Sequence, residues 1–178
     1  MLMTRHFHRF LRDKCGLSGL EFAAVMPCVV MLMFGGFEVS QLLQVNRKAT
    51  NVAATASNLV AATTTIRNQD RDDVFNAASA IMTPFDTANL TIVITSITNT
   101  GGVLAVAWSD AFHGQPRTTV PANLPSGIVS DPGTSIIMAE TTYVYGSPTH
   151  FFFANGFTLR DTFYDRPRRS IFVTRCNC

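Results

Sequence analysis

Charge is scarce in this chain. Only 15% of its 178 residues are Asp, Glu, Lys or Arg, and the formal net charge is +2, the reverse of a composition that keeps a chain disordered or coats a nucleic-acid-binding module with lysine. Catalytic patterns are also missing: the sequence has no HExxH, GxSxG, SxxK or P-loop. His113 and His150 stand without a nucleophile motif, and Asp110 near His113 is a proximity that loops often produce. Cysteines fall only at positions 15, 28, 176 and 178, and none of those spacings is a zinc spacing. The Asp70-Arg71-Asp72-Asp73 cluster lacks the glycine and the distant glutamate of a calcium loop. The reading is therefore no enzyme, no cofactor, no metal and no nucleic-acid partner. With 47% hydrophobic residues, the length suits one modest domain plus a short appendage.

The few charges are unevenly placed. Residues 1–16 carry Arg5, Arg9, Arg12 and Lys14 against Asp13, a net of +3, while the remaining 10 basic and 11 acidic residues leave −1. An apolar run follows immediately. From Phe22 to Phe37 there are sixteen residues without a charge, about 24 Å of helix against a hydrocarbon core of roughly 30 Å. Leu17 and Leu20 extend the run on one side, and Leu42, Leu43 and Val45 on the other, with Glu21 and Glu38 near the two interfaces. A carboxylate costs less there than at mid-depth. A basic tag before an apolar segment holds the N-terminus in the cytoplasm. A cleavable secretory signal would place small residues directly after the run, but Ala54-Thr55-Ala56 lies beyond Arg47 and Lys48. A buried core helix would leave the basic tag unexplained. One transmembrane helix over residues 17–45 is the better reading.

Gly16-Leu17-Ser18-Gly19-Leu20-Glu21-Phe22 ends the basic leader with a glycine and places a glutamate and an aromatic five and six residues later. The pattern resembles the processing site of type IV prepilin-like proteins, which implies a cut between Gly16 and Leu17 and a glutamate at mature position five. The continuation Glu21-Phe22-Ala23-Ala24-Val25-Met26-Pro27, then Phe34-Gly35-Gly36-Phe37-Glu38, is similar to the TadE-like family of tight-adherence (Tad, Flp-type) pilus pseudopilins. A glycine has no side chain to obstruct a protease at the bilayer surface. By resemblance, Glu21 pairs with the new α-amino group of a neighbouring subunit, with Phe22 beside it, so a costly intramembrane charge becomes a compensated pair. A glutamate that only snorkels to the interface is the blander alternative. Pro27 removes a helical hydrogen bond and is expected to kink the helix or to sit at an unwound turn.

Beyond the membrane, Val45, Ala49, Val52, Ala56, Leu59, Thr63 and Ile66 recur at spacings of three and four, predicting a helix that runs to about residue 66 as a stalk. A second helix is expected from Asp70 as N-cap, through Val74, Phe75, Ala78, Ile81 and Met82, closed by Pro84. Strand-like runs follow at 90–97 and 103–108 around an Asn99-Thr100-Gly101-Gly102 turn, then at 135–145 and 170–174, with a Pro- and Gly-rich surface connection over 110–134. The expectation is α+β, with a long N-terminal helix, a short second helix and an antiparallel sheet over residues 46–178.

Phe151-Phe152-Phe153 and Phe157 read as core filling in preference to an exposed contact patch, and Arg166-Pro167-Arg168-Arg169 as a solvated loop or a grip on an acidic neighbour. Cys176 and Cys178 are candidates for oxidation, within the chain or between chains, in an exported domain. The resemblance implies a minor pseudopilin. Its expected partners are a prepilin peptidase, other pilins and pseudopilins, an inner-membrane assembly platform and inner-membrane lipid. Residues 1–16 would be removed, the N-terminus would face the cytoplasm and the sheet domain the periplasm of a bacterial envelope, with incorporation into a surface pilus as an option. The competing class is an uncleaved single-pass protein whose outer domain binds a carbohydrate or a peptide.

Overall fold

A computed structural model describes residues 17–147 and 156–176, so the basic leader with Gly16, the His150 to Phe153 stretch and Cys178 lie outside the described residues. The architecture is α+β. Helix α1 (Leu17–Ala61) is followed by β1 (Thr65–Ile66), α2 (Asn68–Ala80), β2 (Leu90–Thr100), β3 (Val103–Phe112), β4 (Ser135–Tyr145), β5 (Phe157–Asp165) and β6 (Thr174–Arg175). Strands β2 to β5 form one antiparallel sheet in the order β3-β2-β4-β5.

Helix α1 stops at Ala61, short of the expected residue 66. The β-branched run Thr63-Thr64-Thr65 disfavours helix, and both the Thr63 amide (3.0 Å) and the Thr63 hydroxyl (2.8 Å) donate to the Val60 carbonyl. The chain then extends into β1, which pairs in parallel with β6. The second helix begins before Asp70, with Arg67 at its N-cap position. Asp70 serves from inside the first turn instead, its carboxylate accepting the Arg67 amide at 3.0 Å, the reach-back half of a capping box. At the other end the Lys48 ammonium of α1 donates to the carbonyls of Ile81 and Thr83, 2.8 Å each, supplying donors just past the last turn of α2.

Two corrections concern strands. The fourth strand of the sheet is β5, not residues 170–174. Phe157–Asp165 reads FTLRDTFYD, whose central Arg160 and Asp161 conceal its alternation. Only Thr174 and Arg175 near the expected last strand are extended in a ladder, and they pair with β1 outside the main sheet. The Gly101-Gly102 hairpin is as expected. Both glycines have positive φ, +63° and +91°, as a two-residue type I′ turn requires, and the Asn99 side chain accepts the Gly102 amide at 2.8 Å.

Both faces of the sheet are covered. On one, Val45, Val52, Ala56 and Val60 of α1 and Val74, Phe75 and Ala78 of α2 pack on Leu90, Ile92, Ile94, Ile137, Ala139 and Tyr143. On the other, the 113–134 connection does more than link strands. Its Val129 is buried, and Val120, Leu124 and Ile128 pack with it over Ile97, Ile136 and Met138. A register shift at Ser96/Ile97 against β3 accompanies the change of face along β2: Ile94 packs in the helix-side core and Ile97 in the other.

Candidate functional site

The N-terminal half of α1 is the unusual part of the molecule. Every described side chain from Ser18 to Val29 is exposed, as are Phe22 at 65% and Leu32 at 76%. From Glu38 onward the same helix is gripped by the domain, with Glu38, Val45, Val52 and Val60 fully buried. The domain therefore leaves most of the side chains from 18 to 37 exposed. A core helix of a soluble domain would bury this face, so the buried-helix reading fails here, and the helix is long and apolar enough to cross a membrane. The bare segment measures ~32 Å by helical rise, matching the hydrocarbon thickness of roughly 30 Å.

Within it, Leu17 is the first helical residue, directly after Gly16, which lies outside the described residues. Glu21 and Phe22 lie just beyond the first turn, both exposed. Pro27 sits inside a helix that continues to Ala61. It has no amide proton to give the Ala23 carbonyl, so that acceptor lacks its usual partner. Cys28, one residue on, is a free, exposed thiol.

The junction of bare and packed helix has its own chemistry. The Tyr145 phenol is buried, and burial first, then the neighbouring Glu38 carboxylate, raises its pKa. Tyr145 is the last residue of β4 and belongs to the same core as Val45, with Leu42 packed against it. Further along, the Thr50 hydroxyl donates to the Asp161 carboxylate, and the Ser57 hydroxyl donates to that of Asp165 at 3.1 Å. Helix α1 and strand β5 therefore run side by side in the same direction. The domain has a base, near Glu38 and Tyr145, and a far end, near Ala61 and the 101–102 turn.

Elsewhere, polar clusters are internally paired. Asp110, which the sequence places near His113, is held by Arg175: Nε donates to one oxygen at 2.7 Å, and a terminal nitrogen of Arg175 donates to Asn68 at 2.7 Å. His113 is exposed and stacks on Phe112 with ring centroids 3.9 Å apart. Arg117 grips Glu140 through two parallel bonds of 2.7 and 2.5 Å beside a shallow cleft of about 260 Å³. That hydrogen bond to Glu140 is the main cause of the raised pKa of Arg117. In the 166–169 stretch, Arg166 donates to the Ile128 carbonyl at 3.1 Å, and Arg168 lies 3.8 Å from Asp165. Cys176 is disulfide-bonded. Phe157 is 44% exposed, against the core reading given to it from sequence. No group of three or more metal-ligating side chains occurs among the described residues.

Sequence reasoning missed Glu38 as a buried residue and Lys48 and Arg175 as clamps. Nothing in the neighbouring residues marks any of the three, and only the fold shows that Lys48 meets the end of α2 and Arg175 meets Asp110. Compared with known families, residues 16–58 match the model of TadE-like protein. No curated protein and no solved structure matches the chain.

Proposed function

We propose, starting from the TadE-like character of residues 16–58, that this protein is a membrane-anchored minor pseudopilin, a structural and assembly component of a tight-adherence pilus or related secretion filament. The observation that carries the reading is the bare apolar helix over 17–37, which ends where the domain begins. A helix that its own domain leaves uncovered needs lipid before assembly and neighbouring helices after it. Both environments are apolar, so the transfer between them costs little and is decided by packing and polar pairing.

In this reading the basic leader holds the N-terminus in the cytoplasm, and a prepilin peptidase cuts between Gly16 and Leu17. The freed α-amino group of one subunit then meets Glu21 of another. Alone in the bilayer that carboxylate costs up to about 2.5–3.5 kcal/mol, depending on depth, and pairing offsets the cost only when subunits pack. Other pilus components and an inner-membrane assembly platform are the partners, and the sheet domain occupies the periplasmic side. Reading the N-terminus of protein taken from membranes tests the proposal. A mature chain beginning at Leu17 that co-purifies with partner pilins is expected. An intact Met1 without such partners would instead describe a permanently anchored binding protein.

A further inference from the structure

We propose that the base of the sheet domain, presented by Val39, Leu43, Val144 and Phe157, rests in the headgroup layer of a phospholipid bilayer. The inference rests on the reading that residues 17–37 span the membrane, and adds that the domain sits on the bilayer with no standoff. Three observations carry it. First, the bare helix of ~32 Å is used up by a hydrocarbon core of roughly 30 Å, and the domain's grip begins at the next residue, the buried Glu38. Among the described residues of α1 no spacer remains to lift the domain.

Second, the register of helix against sheet puts these residues at one level. Thr50 meets Asp161. Four strand residues back from Asp161, ~13 Å, lies Phe157, and the same drop along α1 is about nine residues, to near residue 41. Phe157 pairs with Tyr145, whose neighbour is Val144. Residue 41 stands ~6 Å above the end of the bare helix, within the roughly 5–7 Å that each headgroup layer occupies.

Third, the side chains there suit that layer. Val39 is 46% exposed, Leu43 54%, Val144 51% and Phe157 44%, where a domain surrounded by water would favour polar groups. Aliphatic and aromatic groups gain from the acyl–headgroup boundary without needing full insertion. The nearby Asp86 carboxylate is exposed and accepts the Ala88 amide at 2.9 Å, so it stays hydrated at the rim. Apolar residues are also exposed at the far end, among them Val103 and Ile171, but nothing in the chain's continuity brings a surface to them.

Photo-cross-linking of the full chain in phosphatidylethanolamine–phosphatidylglycerol vesicles tests the seat. p-Benzoylphenylalanine is placed singly at Leu32, Val144, Phe157 and Thr100, all exposed positions where the probe leaves the core intact, and lipid adducts are read by mass spectrometry. Adducts at 32, 144 and 157 in several-fold excess over 100 are expected. Adducts at 32 with only the level of 100 at 144 and 157 would overturn the seat and leave the membrane anchor standing. Absence of adducts at 32 would overturn both. Protein–protein adducts replacing lipid adducts at 157 would overturn the seat in favour of a subunit contact.

Discussion

At the scale of single residues, the proposed function gives Gly16 and Glu21 separable tasks. Gly16→Phe should leave the basic leader attached, because a peptidase working beside the scissile bond must accommodate the new side chain. Glu21→Ala should insert normally, since it removes an intramembrane charge, yet recover fewer partner pilins because the compensating pair is gone. N-terminal mass spectrometry and partner pull-down on both variants check this. Normal cleavage of the first, or full partner recovery by the second, would remove the corresponding half of the proposal. Arg175 is a different kind of residue. It ties the chain's end to Asp110 of β3 and Asn68 of α2, and also donates to the Ile66 carbonyl at 3.3 Å. Arg175→Ala leaves a mostly buried carboxylate with only Arg71, 3.9 Å away. A loss of about 1–3 kcal/mol is expected, read as a lowered urea midpoint in detergent.

At the scale of elements, α1 is one continuous helix with two environments. Most of its apolar residues before Glu38 are exposed, while its alanines after that point, Ala49, Ala53 and Ala56, are essentially inaccessible. Small side chains there let the helix lie close on β4 and β5, and they leave no room for growth. Ala56→Leu should therefore cost about 1–3 kcal/mol by overpacking, whereas Leu32→Ala should leave the unfolding midpoint of the sheet domain unchanged. Equal effects from the two substitutions would contradict the division of the helix. The same closeness explains why Thr50 and Ser57 face Asp161 and Asp165: two β5 carboxylates lie under the helix and need donors there.

At the scale of the whole molecule, all three tyrosines report on the same fold. Burial is the leading cause of a raised pKa at Tyr143, Tyr145 and Tyr164, reinforced by Asp86, Glu38 and Glu140 respectively. A phenol is neutral when protonated, so a raised folded value means that the native state keeps protons the unfolded chain has already released. Stability is then full below the ordinary value of about 10 and falls as pH rises past it toward the folded values. Absorbance titration should show phenolate appearing only above the ordinary range until unfolding releases all three together, and urea midpoints should fall over the same alkaline interval. Three ordinary titrations without loss of stability would contradict the burial described for them.

What the sequence by itself determined is whatever depends on neighbours along the chain. The apolar run, the basic leader, the Gly16 to Phe22 pattern, the Gly101-Gly102 turn and the strand runs 90–97 and 135–145 each rest on local spacing or on a backbone requirement only glycine meets cheaply, and so did the α+β class. Tertiary structure decided the rest. Strand β5 is held by pairing with β4 despite its charged centre, and the end of the 170–174 run pairs with β1 outside the main sheet, where the Thr174 amide donates to the Thr64 carbonyl at 3.1 Å. Asp70 yielded the start of α2 to Arg67. The point where α1 passes from bare to packed is set by where β4 and β5 end, a length no helical period encodes. The mostly buried charge of Arg175 is tolerable because Asp110 and Asn68, distant in sequence, meet it, and hydrophobic periodicity is blind to such partners.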